Sequence, residues 1–523
     1  MVEKKGLRKW LWEQRSSARL AYVLHLSTRI LSSFFALIWI RFLVGAMGIP
    51  LNSLYLAFQN VFSFGGLGDL GMGGAVGIRV GRYLGEGKGK EEELRKFLAS
   101  ARTVFLFLAV VVGAGMLLLS PWLPHWLRFS ETAGSGPLPN VFAMGTLLMA
   151  GVLLSSYISN LNYACGNVAW PVLPDLLLLQ LSLLCHWLLA RQHQPLWIQY
   201  LPYVIAAAAR FGLTWFYVRT SHPPLGKLLP LTFDWRMTVS LFESSFWLYL
   251  CTLGNVIYRS TDGLVINAGF PLGTLAGYNY NYKFCELVVF IVLTASFVSL
   301  PKITRWMASS DPQDQARVRV EMQRLNQFQT LLGCGAALAY LGGNSLFMKI
   351  WWLHKENPIL PAAMPLQLAF ALNLAVTTSG DAGIQLAMRS GKRGLRVAGA
   401  VIGLTGILNL VLSIVAMKMN SLVGIAMATV VAQSVSSLVA SFYICRHLQI
   451  KWLPWALKGW FFPLAGISFA AWLRMLWPLD SWPHTLLLIT AYVALLALAA
   501  WGLGIKAAFI KEELKIVKKF FRK

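Results

Sequence analysis

Long apolar stretches recur between residues 20 and 505, and they constrain the fold of this chain more than any other feature. Each is near the roughly 20 residues with which an α-helix crosses about 30 Å of hydrocarbon. Of the 523 residues, 57% are hydrophobic and only 13% are charged, unlike the composition of soluble domains. We therefore predict an all-α polytopic membrane protein with about fourteen transmembrane helices, twelve being the alternative count. The predicted spans are 20–44, 51–84, 99–123, 139–164, 170–190, 196–219, 237–267, 272–300, 326–347, 359–387, 395–416, 421–446, 457–477 and 484–505.

The 46 Lys and Arg residues are unevenly distributed between the segments that join these spans. If both termini are cytoplasmic, the cytoplasmic segments hold 35 of them, the external segments 5 and the spans 6. By the positive-inside rule, this bias predicts cytoplasmic termini and an even number of spans in an inner membrane. A net charge of +25 can also indicate nucleic-acid binding. Here the charge lies in short segments between apolar stretches, so we expect no nucleic-acid partner.

A stripe of glycines marks the second span and its continuation. In a helix, glycines four residues apart lie on one face, where a neighbouring helix can approach closely. The same region contains Gly66 to Gly71, which matches the G-x-G-x-x-G pattern of dinucleotide-binding sites. That pattern requires a preceding strand, and here a hydrophobic helix is predicted instead, which disfavours nucleotide binding. The stripe consists of Gly73, Gly77, Gly81, Gly85 and Gly89.

A weak internal repeat, with a lag of about 220 residues or six spans, predicts two lobes of six helices, an arrangement found in transporters. The last two spans lie outside the repeat. The predicted divisions are a basic N-terminal tail 1–19, a first lobe 20–220, a linker 221–236, a second lobe 237–447, an appendage 448–510 and a basic C-terminal tail 511–523.

Basic side chains within the spans are candidates for substrate binding, because a charge facing lipid is costly and is expected to face a partner or a wet cavity. One interpretation places Arg29, Arg259 and Lys283 in a shared cavity that selects anions, with His25 and Arg210 as further members. Guanidinium groups suit phosphate oxygens because they bind them in a planar, bidentate manner. The other interpretation treats Arg259–Asp262 and Lys283–Glu286 as neutralised pairs, each on one helix, that stabilise packing.

Acidic side chains within the spans are candidates for ion coupling. Asp69 and Asp381 are lone carboxylates on spans two and ten, and a carboxylate in apolar surroundings can exchange protons near neutral pH. Asp262 and Glu286 are the other two candidates, and the coupling ion would be H⁺ or Na⁺. A helix-capping or packing role for Asp69 or Asp381 is an equal alternative. We expect no cofactor and no metal site.

Two segments resemble the O-antigen and polysaccharide flippases (Wzx type) of the multidrug/oligosaccharidyl-lipid/polysaccharide (MOP) exporter superfamily. In the first segment, Asp69-Leu70-Gly71 is followed by Arg79, Arg82 and a charged loop. In the second, residues 260–284, Asp262 precedes an apolar run and the Gly277-Tyr278 pair, with Tyr280 after it. The similarity covers roughly residues 20–450, and the appendage fits members with fourteen helices.

The resemblance implies a bacterial inner-membrane transporter with a MATE-like fold. It would move a polyprenyl-pyrophosphate-linked oligosaccharide, such as an O-antigen repeat unit, from the cytoplasmic to the periplasmic leaflet by alternating access between the lobes. The expected partners are that lipid-linked oligosaccharide and membrane lipids. A polysaccharide polymerase and chain-length proteins are candidate protein partners.

Three alternatives stay open. A multidrug cation antiporter of the same superfamily would need a cavity dominated by acids, whereas basic residues at least balance the acids here. A lipid II flippase shares the positive cavity, but the Arg-Ile-Pro-Asn-type motif of its second helix is absent at residues 56–60. A membrane glycosyltransferase or polymerase would need a metal-binding or catalytic motif. The longest external loop, about 124–138, has one carboxylate, Glu131, so we expect a transporter rather than an enzyme.

Overall fold

The structure is a computed structural model. It describes residues 18–73, 76–77, 79–80, 91–126, 129, 131–164, 172–221, 231–271, 273–308, 311–352, 359–457, 460, 462–476, 490–492 and 494–495. Within these ranges the secondary structure is helical and contains no strand. The prediction of an all-α polytopic membrane protein is confirmed.

Twelve helices of fifteen residues or more form the described part of the chain. Seven described helices are long and apolar enough to cross a membrane, judged by length and composition. Short helices at Leu123–Trp126, Leu196–Gln199 and Trp452–Ala456 connect some of the twelve. The twelve are α1 (Ala18–Ser63), α2 (Glu91–Leu119), α3 (Leu138–Ala164), α4 (Val172–Arg191), α5 (Leu201–Ser221), α6 (Trp235–Gly269), α7 (Thr274–Ala308), α8 (Pro312–Trp351), α9 (Met364–Arg389), α10 (Gly391–Lys418), α11 (Leu422–His447) and α12 (Phe462–Leu476).

A helix occupies each of the first thirteen predicted spans. The first span and the first part of the second form α1, which consists of two helical segments joined at a kink at Gly48, where φ is 72° and ψ is 166°. Gly48 adopts this conformation because it has no Cβ, and Pro50 follows it at the start of the second half, where its missing N–H is tolerated. The fourteenth predicted span, 484–505, lies mostly outside the described residues.

The chain divides into two compact units, with the boundary between Ala276 and Gly277. The first unit contains α1 to α6. Asp234 begins α6 by accepting a hydrogen bond from the backbone N–H of Met237, and Ser100 of α2 bonds to Thr238 of α6. The internal repeat instead places 237–267 in the second lobe, and the lobe boundaries stay a prediction.

Aromatic side chains fill the core of the first unit at the predicted external end of its helices. Phe58 and Phe62 of α1 contact Phe142 of α3 and Tyr200, with ring centroids between 4.9 and 6.5 Å apart. The buried His186 of α4 joins this cluster through hydrogen bonds of its two ring nitrogens to Tyr203 and Gln199. This buried histidine therefore has a structural role.

In the second unit, α9 packs between α8 and α11. Small residues allow the close approach: a Cβ at Gly333 would collide with the hydroxyl of Thr378, and a Cβ at Gly380 would collide with that of Ser437. Transmembrane helices associate through such small-residue contacts, because in lipid the hydrophobic effect does not drive helices together and close van der Waals packing does. Polar side chains of α8, α9 and α11 are consequently brought close to each other.

Candidate functional site

The second predicted span is interrupted near its middle. After α1 ends at Ser63, a 3-10 helix runs over Phe64–Leu67, and helical geometry resumes at Met72. Leu70 and Gly71, which precede this restart, have positive φ angles of 49° and 72°. Because this conformation is unfavourable for leucine, tertiary contacts must maintain the break.

Gly71 lies against the backbone of α6. A Cβ built at Gly71 would be 2.9 Å from the Tyr249 nitrogen and 3.1 Å from the Ser245 carbonyl oxygen. Both are main-chain atoms, which cannot move without shifting α6. Position 71 therefore requires glycine for two reasons, its positive φ and the close approach of α6. The sequence analysis did not predict this break.

Asp69 forms a turn within the break, before the helix restarts. Its Oδ1 accepts a hydrogen bond from the backbone N–H of Gly71 at 2.9 Å, and its Oδ2 accepts one from the hydroxyl of Ser156 on α3, also at 2.9 Å. The backbone carbonyl of Asp69 accepts from the N–H of Met72. The bond from Gly71 closes an Asx turn that stabilises the break, and the roles considered for Asp69 in the sequence analysis stay predictions.

The glycines after the break approach α3, as their spacing predicts. A Cβ at Gly73 would lie 2.6 Å from the side-chain nitrogen of Asn160 and 2.8 Å from the hydroxyl of Ser156. A Cβ at Gly77 would lie 3.4 Å from the Asn160 carbonyl oxygen. The remaining members of the stripe, at 81, 85 and 89, lie outside the described residues.

Asp381, in the core of the second unit, is buried and lies in a polar group of side chains. Its Oδ2 accepts a hydrogen bond from Gln329 of α8 at 3.0 Å, and its Oδ1 accepts one from Gln385 at 3.2 Å. Gln385 in turn accepts a 2.8 Å hydrogen bond from the guanidinium of Arg389. Asp381, Gln385 and Arg389 therefore form a hydrogen-bonded chain along α9 that leads from the core to the end of the helix.

Further buried polar atoms lie on the two helices that pack against α9, with Asn326 and Thr330 on α8 and Ser437 and Ser441 on α11. Their side-chain oxygens make no hydrogen bond to any residue that the structure describes. Buried polar groups are normally satisfied, so oxygens of this kind can mark the place of a water or an ion. We define the Asp381 cluster as Asn326, Gln329, Thr330, Asp381, Gln385, Ser437 and Ser441. Among the described residues, no group of three or more His, Cys, Asp or Glu could hold a metal ion.

Two of the predicted cavity cations form ion pairs. On α7, Lys283 Nζ lies 2.7 Å from Glu286 Oε2, as expected from their spacing of three residues. Arg210 of α5 lies 2.8 Å from Asp175 of α4, an interaction between two helices that the sequence analysis did not predict. Both pairs are partly exposed, so the charge of each cation is balanced by a neighbour but remains accessible.

The other cavity candidates lie in different parts of the chain. Arg259 is exposed on α6 in the first unit, and Asp262, one turn further on, is buried with 8% of its surface exposed. Lys283 belongs to the second unit. The side chains of His25 and Arg29 lie outside the described residues. The shared anion cavity therefore stays a prediction.

The sequence analysis missed the side chains that hold the two carboxylates. Asp381, Gln385 and Arg389 are spaced four residues apart, so a helical face carrying all three could have been read from the sequence. Ser156 and Gln329 could not have been found in this way, because each lies on a different helix from its partner and apolar spans contain many uncharged polar residues.

Solved structures of several transporters are similar to this one. The lipid II flippase MurJ, in an inward closed conformation, matches with a TM-score of 0.68 and 14% identity over 92% of this chain and 98% of that chain. A multidrug resistance MATE family transporter in an inward-facing conformation has a TM-score of 0.60 and 12% identity, over 82% and 98%. A MOP superfamily transporter from Pyrococcus furiosus, whose binding pocket is described as having reverse polarity, has a TM-score of 0.55 and 12% identity, over 85% and 98%.

The chain shares the fold of these three proteins. No protein-family model and no curated protein sequence matches it. At 14% identity or below, the similarity shows the fold of this multi-pass membrane protein. The MurJ match covers more of this chain than either of the other two. All three of these similar proteins are transporters or flippases rather than enzymes.

Proposed function

We propose that the protein is a flippase that moves a polyprenyl-pyrophosphate-linked oligosaccharide from the cytoplasmic to the periplasmic leaflet of a bacterial inner membrane by alternating access. The observation that carries this proposal is the similarity of fold to a lipid II flippase over 92% of the chain. The resemblance of residues 69–101 and 260–284 to the polysaccharide flippases supports an O-antigen or other polysaccharide repeat unit as the glycan.

Arg259 is the described residue best suited to bind the pyrophosphate. It is exposed on α6, ten residues before the end of that helix at Gly269, and so about 15 Å along the helix axis from that end. A guanidinium at that depth is costly if it faces lipid, which favours a position in a wet cavity. Arg29 is the second candidate, by its position in span one. Lys283 and Arg210, which form ion pairs with Glu286 and Asp175, are the further candidates.

The Asp381 cluster is our candidate for coupling transport to an H⁺ or Na⁺ gradient. Its carboxylate accepts hydrogen bonds from the side-chain amides of Gln329 and Gln385, which can rotate, and unsatisfied buried oxygens lie on the helices that pack against α9. Intramembrane carboxylates in such surroundings commonly mark proton or cation pathways in transporters. Asp69, by contrast, accepts a hydrogen bond from a backbone N–H in the turn that forms the break.

Lipid II is the second candidate substrate, favoured by the flippase among the similar structures. It shares the polyprenyl pyrophosphate and differs in the attached saccharide, so the same cationic residues would serve it. Export of cationic drugs is the third candidate, favoured by the multidrug MATE transporter among the similar structures. It would depend on acidic rather than basic cavity residues.

The test is a flipping assay with purified protein in liposomes that contain a fluorescent polyprenyl-pyrophosphate oligosaccharide. Loss of fluorescence to a membrane-impermeant quencher reports the lipid that reaches the outer leaflet. Arg29→Ala and Arg259→Ala are compared with wild type and with Lys418→Ala, whose cation is exposed at the end of α10. We expect flipping to fall about 10- to 150-fold in each of the first two variants, since a hydrogen bond to a charged group contributes about 1.5–3 kcal/mol.

The outcomes separate the candidate functions. Flipping of the oligosaccharide lipid that collapses in the arginine variants alone supports the proposal, whereas flipping of lipid II in its place assigns the second substrate. Absence of flipping, together with uptake of a cationic dye that requires Asp381, refutes the proposal and assigns drug export. A double variant, Lys283→Ala/Glu286→Ala, should retain flipping if that pair serves packing alone.

A further inference from the structure

A basic pocket lies between α10 and α11 in the second unit, outside the residues assigned to transport. Its volume is ≈ 440 Å³. Arg393 comes from the first turn of α10, and Arg446 and His447 come from the last turn of α11. The two helices are joined by a tight turn at residues 419–421, so the start of α10 and the end of α11 lie at the same end of the pair. By the predicted topology, that end is cytoplasmic.

The charge of this pocket is not balanced by nearby carboxylates in the sequence. Residues 382–479 contain no Asp or Glu. The start of α8 lies near the end of α11, as a 3.2 Å hydrogen bond from Arg319 to Gln449 shows. The carboxylates of that part of α8, Asp314 and Glu321, form ion pairs with Arg317 and Arg324. Arg393 places a positive charge at the N-terminus of α10, which is the positive end of the helix dipole. This arrangement is unfavourable unless an anion is bound there.

The rest of the pocket is apolar and continues along the outside of the two helices. Val439 and Phe442 are 41% and 48% exposed, and Val397 faces them from α10. Beyond the pocket, the same faces expose further large aliphatic side chains, which are Leu404, Ile407, Val411, Val431 and Val435. In a protein that spans a membrane, exposed apolar faces of this kind contact acyl chains.

Aromatic residues lie where the basic and apolar parts meet. The ring of Tyr443 stacks on that of His447, with centroids 6.2 Å apart and an interplanar angle of 9°. Tyrosine is enriched at the level of lipid headgroups, because its ring is apolar and its hydroxyl is polar. The pocket therefore has basic, aromatic and apolar parts in the same order as the phosphate, glycerol region and acyl chains of a phospholipid.

We propose that this pocket binds an anionic phospholipid from the leaflet at this end of α10 and α11. Arg393 and Arg446 bind the headgroup phosphate by charge-assisted hydrogen bonds, and the acyl chains lie against Val397, Val439 and Phe442. A basic pocket between transmembrane helices is the usual arrangement for recognising such headgroups. The occupant is a resident lipid of the bilayer rather than the transported substrate.

The test measures binding of fluorescent phosphatidylglycerol to the purified full-length protein in a neutral detergent, with fluorescent phosphatidylcholine as the uncharged comparison. The variant is Arg393→Gln/Arg446→Gln. The matched control is Lys418→Gln, which removes a cation from the opposite end of α10. Each basic residue near a lipid surface contributes about fivefold in affinity, so we expect the double variant to bind phosphatidylglycerol about 25-fold more weakly and the control to bind it like wild type. Arg393→Lys/Arg446→Lys should keep most of the binding.

Three results would overturn the proposal. The first is equal affinity of wild type and the double variant for phosphatidylglycerol, with both proteins monodisperse. The second is displacement of the lipid by inorganic phosphate at millimolar concentration, which would indicate a site for a free anion. The third is stronger binding of a polyprenyl pyrophosphate than of phosphatidylglycerol, lost in the double variant, which would place the transported lipid here. Selective loss of phosphatidylglycerol binding in the double variant supports a structural lipid site.

Discussion

Replacing Gly71 by alanine should destabilise the first unit through two separate effects. The alanine Cβ would sit on a residue with φ of 72°, and the left-handed conformation costs an L-residue about 1–2 kcal/mol. The same Cβ would lie 2.9 Å from the nitrogen and 3.2 Å from the Cα of Tyr249, both main-chain atoms of α6. Forcing such atoms apart costs about 1–3 kcal/mol. We expect a total loss of about 2–5 kcal/mol.

The assay is thermal unfolding of the purified protein in detergent, followed by the fluorescence of a thiol-reactive dye, since Cys251 is buried on α6. Gly115→Ala is the matched control, because no atom lies within 4 Å of a Cβ at that helical position. Alanine there should be neutral or stabilising by up to about 1 kcal/mol. An unfolding temperature of Gly71→Ala at or above that of wild type would refute the assigned break and its contact with α6.

Three further predictions concern charged residues of the spans. Asp69→Asn should keep both stability and transport, because asparagine can form the same turn with the N–H of Gly71, whereas Asp69→Ala should lose about 0.5–1.5 kcal/mol in thermal unfolding. Loss of ion dependence in Asp69→Asn would contradict this. Asp381→Asn should leave the unfolding temperature within a few degrees of wild type and abolish the dependence of flipping on an H⁺ or Na⁺ gradient, measured in liposomes with and without the gradient. Arg210→Ala should lower the free energy of unfolding, and Arg210→Ala/Asp175→Ala should restore part of the loss. A double-mutant cycle on the two residues should give a coupling energy of about 0.5–1 kcal/mol, because the pair is partly exposed.

The positions of the helices could be predicted from the sequence, because the length of an apolar stretch is set by the thickness of the bilayer and requires no knowledge of neighbouring helices. The Lys283–Glu286 pair could also be predicted, since both residues lie on one helix. The Arg210–Asp175 pair could not, because it depends on which helices are neighbours. A single sequence contains no such information.

The break in the second span could not be predicted for the same reason, because it depends on neighbouring helices. Gly66, Gly68 and Gly71 weaken the helix, but glycines are also frequent in continuous transmembrane helices that pack closely. The break is stabilised by Ser156 on α3 and by the backbone of α6, which are separated from Asp69 by more than 80 residues in the sequence. Gly73 and Gly77 of the predicted stripe do approach α3, whereas the role of Gly71 in the break depends on its contact with α6.

The two lone carboxylates have different surroundings, and this difference decides which of them suits ion coupling. Asp69 accepts a hydrogen bond from the backbone N–H of Gly71, which is fixed by the fold, so releasing the carboxylate would also open the turn within the break. Asp381 accepts hydrogen bonds from the side-chain amides of Gln329 and Gln385, and these amides can rotate. A coupling group must gain and lose its ion at little structural cost during each cycle. If the transporter uses a single carboxylate for coupling, Asp381 is the one whose contacts allow repeated exchange, and ion dependence should be lost in Asp381→Asn but retained in Asp69→Asn.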